Sequence, residues 1–192
     1  IRVKDIADHL TQIATKEAVS ADPEALHQIA LKADGALRDA LSIIDQLVTF
    51  AGSTLTYQNV LDNLHILDYE YYFKITDAAE KEDISAALLI LNDIYEKGFD
   101  GHHFVVGLSE HVRNLLVCKD PKTATLLEAP DTIKQRYISQ AHEIESQRLL
   151  RSLQVLSKTD VSYKASKNQR LLIEVALMQL CSLKQEQEKK KD

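Results

Sequence analysis

The sequence predicts an all-α fold, and three of its features favour helices over strands. Apolar side chains recur every three or four residues along most of the chain, which places them on one face of a helix. Only 5 glycines and 3 prolines interrupt 192 residues, whereas strands joined by turns normally need more of both. Asp, Thr or Pro also precedes several periodic stretches, in positions that favour a helix N-terminus.

Four short helices are predicted within the first 64 residues. The first spans residues 3–17, and the second follows Asp22, its predicted N-cap, with Pro23 in the first helical turn. The third helix opens at Asp34-Gly35, either of which suits its N-cap, and extends to about residue 50. After a turn at residues 51–53, Thr56 is expected to cap the fourth. Four helices of this length predict a small bundle over residues 1–65.

A larger helical domain is predicted over residues 66–185, followed by a charged linker at 186–192. Asp83 and Asp131 are the expected N-caps of two of its helices, and Gly98 and Pro121 are expected to end two others. An aromatic group near its start is expected to pack in the core or an interface, since base stacking would need a basic groove beside it. The predicted helices span residues 69–79, 84–95, 102–119, 131–141, 145–164 and 167–185; the aromatic group is Tyr69, Tyr71, Tyr72 and Phe73.

Composition narrows the possible functions. A formal net charge of −6 and a pI of about 5.6 argue against an extended basic surface that binds DNA. They do not exclude a small local basic patch. Cys118 and Cys181 are expected to be buried free thiols, as in a reducing cytosol. The chain shows no signal peptide and no apolar run long enough for a bilayer, so a cytoplasmic location is expected. Because it begins with Ile1, the chain is interpreted as a piece of a longer protein.

Arg38 is the unusual residue of the third helix, because a cation in the first turn faces the partial positive charge of the helix N-terminus. Free backbone N–H groups and a guanidinium together form a phosphate site. The alternative is that Asp39, or another carboxylate, pairs with Arg38 on a solvated face. The residues alone leave both interpretations open.

The stretch Gly35-Ala36-Leu37-Arg38-Asp39-Ala40-Leu41-Ser42 resembles the sensor-2 motif in the lid of AAA+ clamp-loader ATPases, and most closely that of the bacterial DNA polymerase III gamma/tau family. In that family the arginine at this position reaches the terminal phosphates of the nucleotide, which assigns that role to Arg38. Residues 163–174 resemble the closing helix of the oligomerisation domain, or collar, that follows the lid. His65 departs from the family pattern, since glycine is common at its position.

The resemblance implies a lid at residues 1–65 that closes on ATP and magnesium held by an N-terminal domain outside this chain. It implies a collar at residues 66–185 that packs with other gamma/tau copies, delta and delta-prime. The assembled complex would load the sliding clamp on primed DNA, with no membrane involved. No catalytic residue and no metal ligand is assigned within the chain. Because the sequence contains no G-x-x-x-x-G-K-[ST] loop, it is not expected to hydrolyse ATP alone.

Three alternatives compete with this interpretation. The chain could be a helical scaffold or adaptor with no link to a nucleotide, or the lid of another AAA+ ATPase. It could also be a helical metal-dependent phosphohydrolase that uses His102, His103 and His111. However, His102 and His111 lie nine positions apart, which is roughly 13 Å along one helix and too far for a shared ion. Capping or packing roles are therefore expected for these histidines.

Overall fold

The structure is a computed structural model that describes residues 2–188, with side chains described as far as Lys184. These residues form eleven α-helices and two short strands, and no helix among them combines the length and apolar character needed to span a bilayer. The elements are α1 (Val3–Lys16), β1 (Ser20–Ala21), α2 (Pro23–Lys32), α3 (Leu37–Ala51), β2 (Thr54–Leu55), α4 (Tyr57–Leu64), α5 (Tyr69–Glu80), α6 (Ile84–Glu96), α7 (Gly101–Val117), α8 (Pro121–Ala124), α9 (Asp131–Glu143), α10 (Ser146–Tyr163) and α11 (Gln169–Glu188).

The predicted all-α fold is confirmed, with one addition. Strands β1 and β2 pair in parallel, so that Ser20 lies opposite Thr54 and Ala21 opposite Leu55. The sequence gives no sign of this pairing, because two residues are too few to show the alternating pattern of a strand. The pairing joins the segment before α2 to the segment after α3.

The described chain divides into two compact units. The first contains the residues up to Ile66 together with Glu128–Lys134, and the second contains Leu67–Leu127 and the residues from Gln135 onward. The sequence predicts Glu128–Lys134 as part of the second domain. This short segment lies between α8 and the body of α9 in the sequence, and it is called the strap below.

The first unit is built around apolar side chains from α1 to α4, as the periodicity predicts. Ile6 and Leu10 of α1 are fully buried, and so is Leu55 of β2. The core continues through α2, α3 and α4 with Ala25, Leu26, Ile29, Ala30, Ala40, Ile44, Leu47 and Val60.

The second unit has an aromatic and aliphatic core. Phe73 of α5 lies 4.6 Å from the ring of His111 and 5.0 Å from that of Tyr137, between centroids. The aromatic group predicted at the start of this domain is thus packed against other helices, with Phe73 buried and the three tyrosines half-buried. Cys118 and Cys181 are buried thiols that are not joined in a disulfide, as expected.

A buried arginine fixes the end of α5. Arg148 of α10 is 5% exposed, and its Nε lies 3.2 Å from Oε1 of Glu80. Its Nη2 also donates to the carbonyl of Ala79, which is one of the carbonyls that a helix C-terminus leaves without an internal partner. Arg148 therefore satisfies the end of one helix with the side chain of another.

The observed helix N-caps agree with the predicted ones where the side chain of the cap residue accepts from an N–H group of its own helix. Thr56 accepts from the N–H of Asn59 and Asp83 from that of Ala86, as predicted. The side chains of Asp68, Asp100 and Asp120 cap α5, α7 and α8 in the same way.

Two predicted helix caps differ from the structure, and a third is the predicted residue but lacks the side-chain hydrogen bond of a cap. The N-cap of α3 is Ala36, with φ −94° and ψ 100°, and not Asp34 or Gly35, because those two residues are left-handed and complete the preceding turn. Asp22 is the N-cap residue of α2, as predicted, but its carboxylate accepts from the N–H of Tyr57 and not from an N–H group of α2. Asp131 is the first residue of α9, and the carbonyl of Pro130 accepts the first helical hydrogen bond.

The C-terminal helix is longer than predicted. α11 continues to Glu188, although the charged linker was predicted to begin at residue 186. The rest of the predicted linker, residues 189–192, lies outside the described residues.

Candidate functional site

Arg38 is the second residue of α3, and its side chain is exposed. Helix α3 is held in place by its opposite side, because Ala40, Ile44 and Leu47 are buried in the core of the first unit. The carbonyl of Arg38 accepts from the hydroxyl of Ser42 at 3.0 Å. The backbone at Arg38 is therefore anchored, while the guanidinium extends from the outer face of α3.

The turn before α3 brings this helix N-terminus to the surface. Asp34 has φ 45° and Gly35 has φ 81°, which is the left-handed region that glycine and, to a lesser degree, aspartate tolerate. The N–H of Ala36 closes the turn by donating to the carbonyl of Ala33 at 2.9 Å. Gly35 indicates a turn at this point of the sequence, whereas nothing in the sequence indicates the left-handed conformation of Asp34.

The electrostatics of the site favour an external anion. Among the side chains that the structure describes, no acidic group forms an ion pair with Arg38, not even its neighbour Asp39. Ala36 offers no side-chain acceptor to the first N–H groups of α3. A cation in this position costs about 0.3–1 kcal/mol, and an anion bound there would offset that cost. A phosphate group matches both the guanidinium and the uncapped N–H groups.

The structure separates the three histidines that suggested a metal site. Nε2 of His102 lies 2.6 Å from Oδ1 of Asp160, and His103 is exposed beside Asp100. His111 is buried in the core, 1% exposed. Over the part of the chain with described side chains, no group of three His, Cys, Asp or Glu residues is arranged to hold a metal ion.

His111 belongs to a buried hydrogen-bond network. Its Nδ1 lies 3.1 Å from the hydroxyl of Tyr137, and its Nε2 lies 3.1 Å from Oε1 of Gln140. The amide nitrogen of Gln140 donates in turn to the carbonyl of Phe73 and to Asp77. Burial lowers the pKa of His111 to about 3, so the imidazole is neutral at neutral pH. This histidine has a packing role, as expected.

The backbone conformation at His65 explains why glycine is common at this position in the family. It ends α4 with φ 51° and ψ 55°, in the left-handed conformation. Glycine adopts this conformation without steric cost, whereas other residues pay about 1–2 kcal/mol. The position therefore favours glycine for a backbone reason, although this chain has histidine there.

Comparison with known proteins identifies two consecutive regions. Residues 5–53 match the family model of the DNA polymerase III clamp loader subunit, ATPase lid domain. Residues 55–192 match that of DNA polymerase III subunits gamma and tau, domain III. The site at Arg38 thus lies within the region matched as an ATPase lid.

Individual relatives agree with the family models. DNA polymerase III subunit tau of Bacillus subtilis is 26% identical over 177 residues, which are 92% of this chain and 31% of that protein. Protein STICHEL-like 2 of Arabidopsis thaliana is 26% identical over 177 residues, covering 92% of this chain and 20% of that protein. This chain therefore spans about a third or less of the length of these two curated relatives.

A solved structure shares the fold. The DNA clamp loader delta protein of Bacillus subtilis aligns with 95% of this chain and 57% of its own, with a TM-score of 0.58 and 21% sequence identity. The family model of domain III alone covers more than half of the chain. The chain therefore belongs to the clamp-loader family of DNA polymerase III, and it contains the ATPase lid followed by domain III of the gamma and tau subunits.

Proposed function

We propose that Arg38 is the sensor-2 arginine of this chain and that it contacts the terminal phosphates of ATP bound by another domain of the same protein. The observation that carries the proposal is the exposed guanidinium at an uncapped helix N-terminus, within the region matched as a clamp-loader ATPase lid. The competing interpretation is that Arg38 forms a surface ion pair, but none of the described acidic side chains pairs with it.

The proposed mechanism is a lid whose position depends on the nucleotide. With a triphosphate bound, the guanidinium and the first N–H groups of α3 gain an anionic partner, which favours the closed lid. When the terminal phosphate leaves, that contact is lost and the open lid is favoured. Magnesium would be held with the ATP by the ATPase domain, since the described side chains of this chain offer no metal site.

The wider role follows from the family. We assign residues 1–65 to the lid and 66–185 to the collar, apart from the strap, Glu128–Lys134, which packs in the first unit. The collar packs with other clamp-loader subunits: further gamma/tau copies, delta and delta-prime. The assembled cytoplasmic complex loads the sliding clamp on primed DNA. The match of residues 55–192 to gamma and tau domain III supports this assignment.

The test is Arg38→Ala in the full-length protein, assembled with its partner subunits. Because Arg38 is exposed and its side chain makes no ion pair with the described residues, we expect unchanged thermal stability. We expect at least a tenfold loss in the rate of ATP-dependent clamp loading, since each lost charge-assisted phosphate contact contributes about 1.5–3 kcal/mol.

Arg113→Ala is the matched control. Arg113 is another exposed arginine, on α7, whose Nη1 donates to Oδ1 of the neighbouring Asn114. It should leave loading unchanged, whereas Arg38→Lys should retain only part of the activity because an ammonium cannot form a bidentate contact. Loading at the normal rate by Arg38→Ala would remove Arg38 from the mechanism.

A further inference from the structure

The strap, Glu128–Lys134, packs with a part of the chain that is distant in sequence. It is flanked on both sides by residues of the second unit, yet it belongs to the first. It includes the first turn of α9, since that helix begins at Asp131. Ile133, within it, is 6% exposed. The strap is therefore packed into the first unit through Ile133, while Glu128, Asp131 and Thr132 lie exposed at the surface of that unit.

Two side chains of α2 hold the strap. The hydroxyl of Thr132 donates to the carboxylate of Glu24, across 108 positions of sequence. His27, one turn further along α2, lies beside the backbone of Glu128. The ring of His27 is 6% exposed, and its Nε2 is buried with no hydrogen-bond partner among the described residues. Both contacts lie on the same face of α2, because residues three apart are neighbours on a helix.

The helix that holds the strap is the one that leads to Arg38. α2 ends at Lys32, and the tight turn through Asp34 and Gly35 connects it to α3. On its inner side α2 is packed by Leu26 and Ile29, both of which are fully or almost fully buried. A change in the position of α2 therefore moves the turn and the first residues of α3 with it, since packed helices shift as rigid elements.

We propose that Thr132, through its hydrogen bond to Glu24, is a positioning residue that fixes α2 and thereby the guanidinium of Arg38 for phosphate binding. This inference rests on the proposed role of Arg38 as a phosphate contact. Thr132 touches neither nucleotide nor Arg38. The strap acts on α2 alone, and α2 sets where α3 begins.

The experiment combines Thr132→Val with Arg38→Ala in the full-length protein. Thr132→Val keeps the shape of the side chain but removes the hydroxyl donor. The affinity for a fluorescent ATP analogue is measured for the wild type, both single variants and the double variant. Thr125→Val is the matched control, because Thr125 is exposed and its hydroxyl donates only to Lys122 within its own turn.

We expect Thr132→Val to weaken nucleotide binding three- to tenfold when Arg38 is present and to have no effect on the Arg38→Ala background. An equal loss on both backgrounds would overturn the inference, because the strap would then act on binding by another route. Unchanged binding by Thr132→Val, with binding weakened by Arg38→Ala, would overturn the strap's role and leave the proposed function standing. Unchanged binding by Arg38→Ala would overturn the proposed function itself.

Hydrogen exchange tests whether Thr132 holds α2 without any nucleotide being present. In the 192-residue chain without nucleotide, Thr132→Val should increase the exchange rate of the α2 amides at least threefold, since α2 loses an external contact. The amides of α5 serve as the internal reference, and Thr125→Val should change neither set. Unchanged exchange in α2 would show that Thr132 does not hold this helix, and the inference would fail independently of Arg38.

Discussion

At the scale of single residues, the polar network around His111 shows how the core of the second unit accommodates an imidazole. The amide nitrogen of Gln140 is engaged with Phe73 and Asp77, so its oxygen faces Nε2 of His111 as an acceptor. Nε2 must then carry the proton, and Nδ1 is free to accept from the hydroxyl of Tyr137. The network satisfies each of these groups only while the imidazole is neutral.

This network predicts a loss of stability in mild acid. Burial lowers the pKa of His111 to about 3, and burial also lowers the pKa of His27. Below a pH of about 6.5 the unfolded chain binds protons that the native state excludes. The free energy of unfolding therefore decreases as the pH is lowered. We expect each histidine to contribute up to about 1.4 kcal/mol per pH unit between pH 6.5 and its native pKa. Urea unfolding followed by circular dichroism at pH 7, 6 and 5 measures the slope.

His111→Gln and His9→Gln distinguish the buried site from the surface. Glutamine at position 111 can still hydrogen-bond but does not titrate, so the pH slope should decrease. His9 lies exposed on α1, and its replacement should leave the slope as it is. An undiminished slope in His111→Gln would mean that other groups produce the acid sensitivity.

At the scale of the elements, the ends of the helices decide how the first unit is connected. Asp22 stands before α2, yet its carboxylate bonds at 2.8 Å to the N–H of Tyr57, the first residue of α4. The parallel pair β1–β2 lies beside this contact, since the N–H of Asp22 also donates to the carbonyl of Leu55. One aspartate thus joins the start of α2 to the start of α4.

We expect Asp22→Ala to destabilise the chain by about 1–2 kcal/mol, the usual cost of removing a side-chain acceptor at a helix N-terminus. The free energy of unfolding in urea at pH 7 measures the change. Asp8→Ala, in the exposed face of α1, should alter it by less than about 0.5 kcal/mol. Equal effects of the two substitutions would show that the bond to Tyr57 contributes nothing.

The C-terminus of α1 permits a stabilising substitution. Ala18 follows the C-cap with φ 54°, and the N–H of Val19 donates to the carbonyl of Ala14 at 2.8 Å, which is the Schellman arrangement that favours glycine. Ala18→Gly should raise the free energy of unfolding by about 0.5–1 kcal/mol, because the left-handed strain is removed. Ala7→Gly, inside the same helix, should lower it by a similar amount. A destabilising Ala18→Gly would contradict the strain argument.

At the scale of the whole molecule, the chain passes between its two units three times: after Ile66, after Leu127 and after Lys134. The site at Arg38 lies in the first unit, which the ATPase-lid model matches over residues 5–53. No segment of the sequence carries the G-x-x-x-x-G-K-[ST] loop that cradles nucleotide phosphates. A single arginine and one helix N-terminus supply only part of the surroundings that ATP hydrolysis requires.

The 192-residue chain should therefore show no ATP hydrolysis above background. The measurement is phosphate release with the purified chain at micromolar concentration, and Arg38→Ala serves as the reference. Turnover that Arg38→Ala abolishes would show a complete active site within this chain and contradict the argument from the missing loop.

The sequence predicted local structure closely and distant contacts not at all. The bounds of α1 and the caps at Thr56 and Asp83 follow from nearby residues, and so does the placement of Arg38 in the first turn of α3. The pairing of β1 with β2 and the bond between Glu24 and Thr132 leave no periodic trace, because each joins residues that are far apart in the chain. Asp34 suits a cap by residue type, but its φ of 45° places it in the preceding turn, and the cap is Ala36.

The strap sets the order in which this protein can mature on the ribosome. Glu24 and His27 leave the exit tunnel about a hundred residues before their contacts in Glu128–Lys134, a delay of roughly 5–20 s at ordinary translation speeds. During that interval water has to hydrate the carboxylate of Glu24 and the imidazole of His27 in place of the strap. The last interactions of the first unit form only after Leu67–Leu127, about half of the second unit, has been translated, so the first unit is completed after much of the unit that follows it.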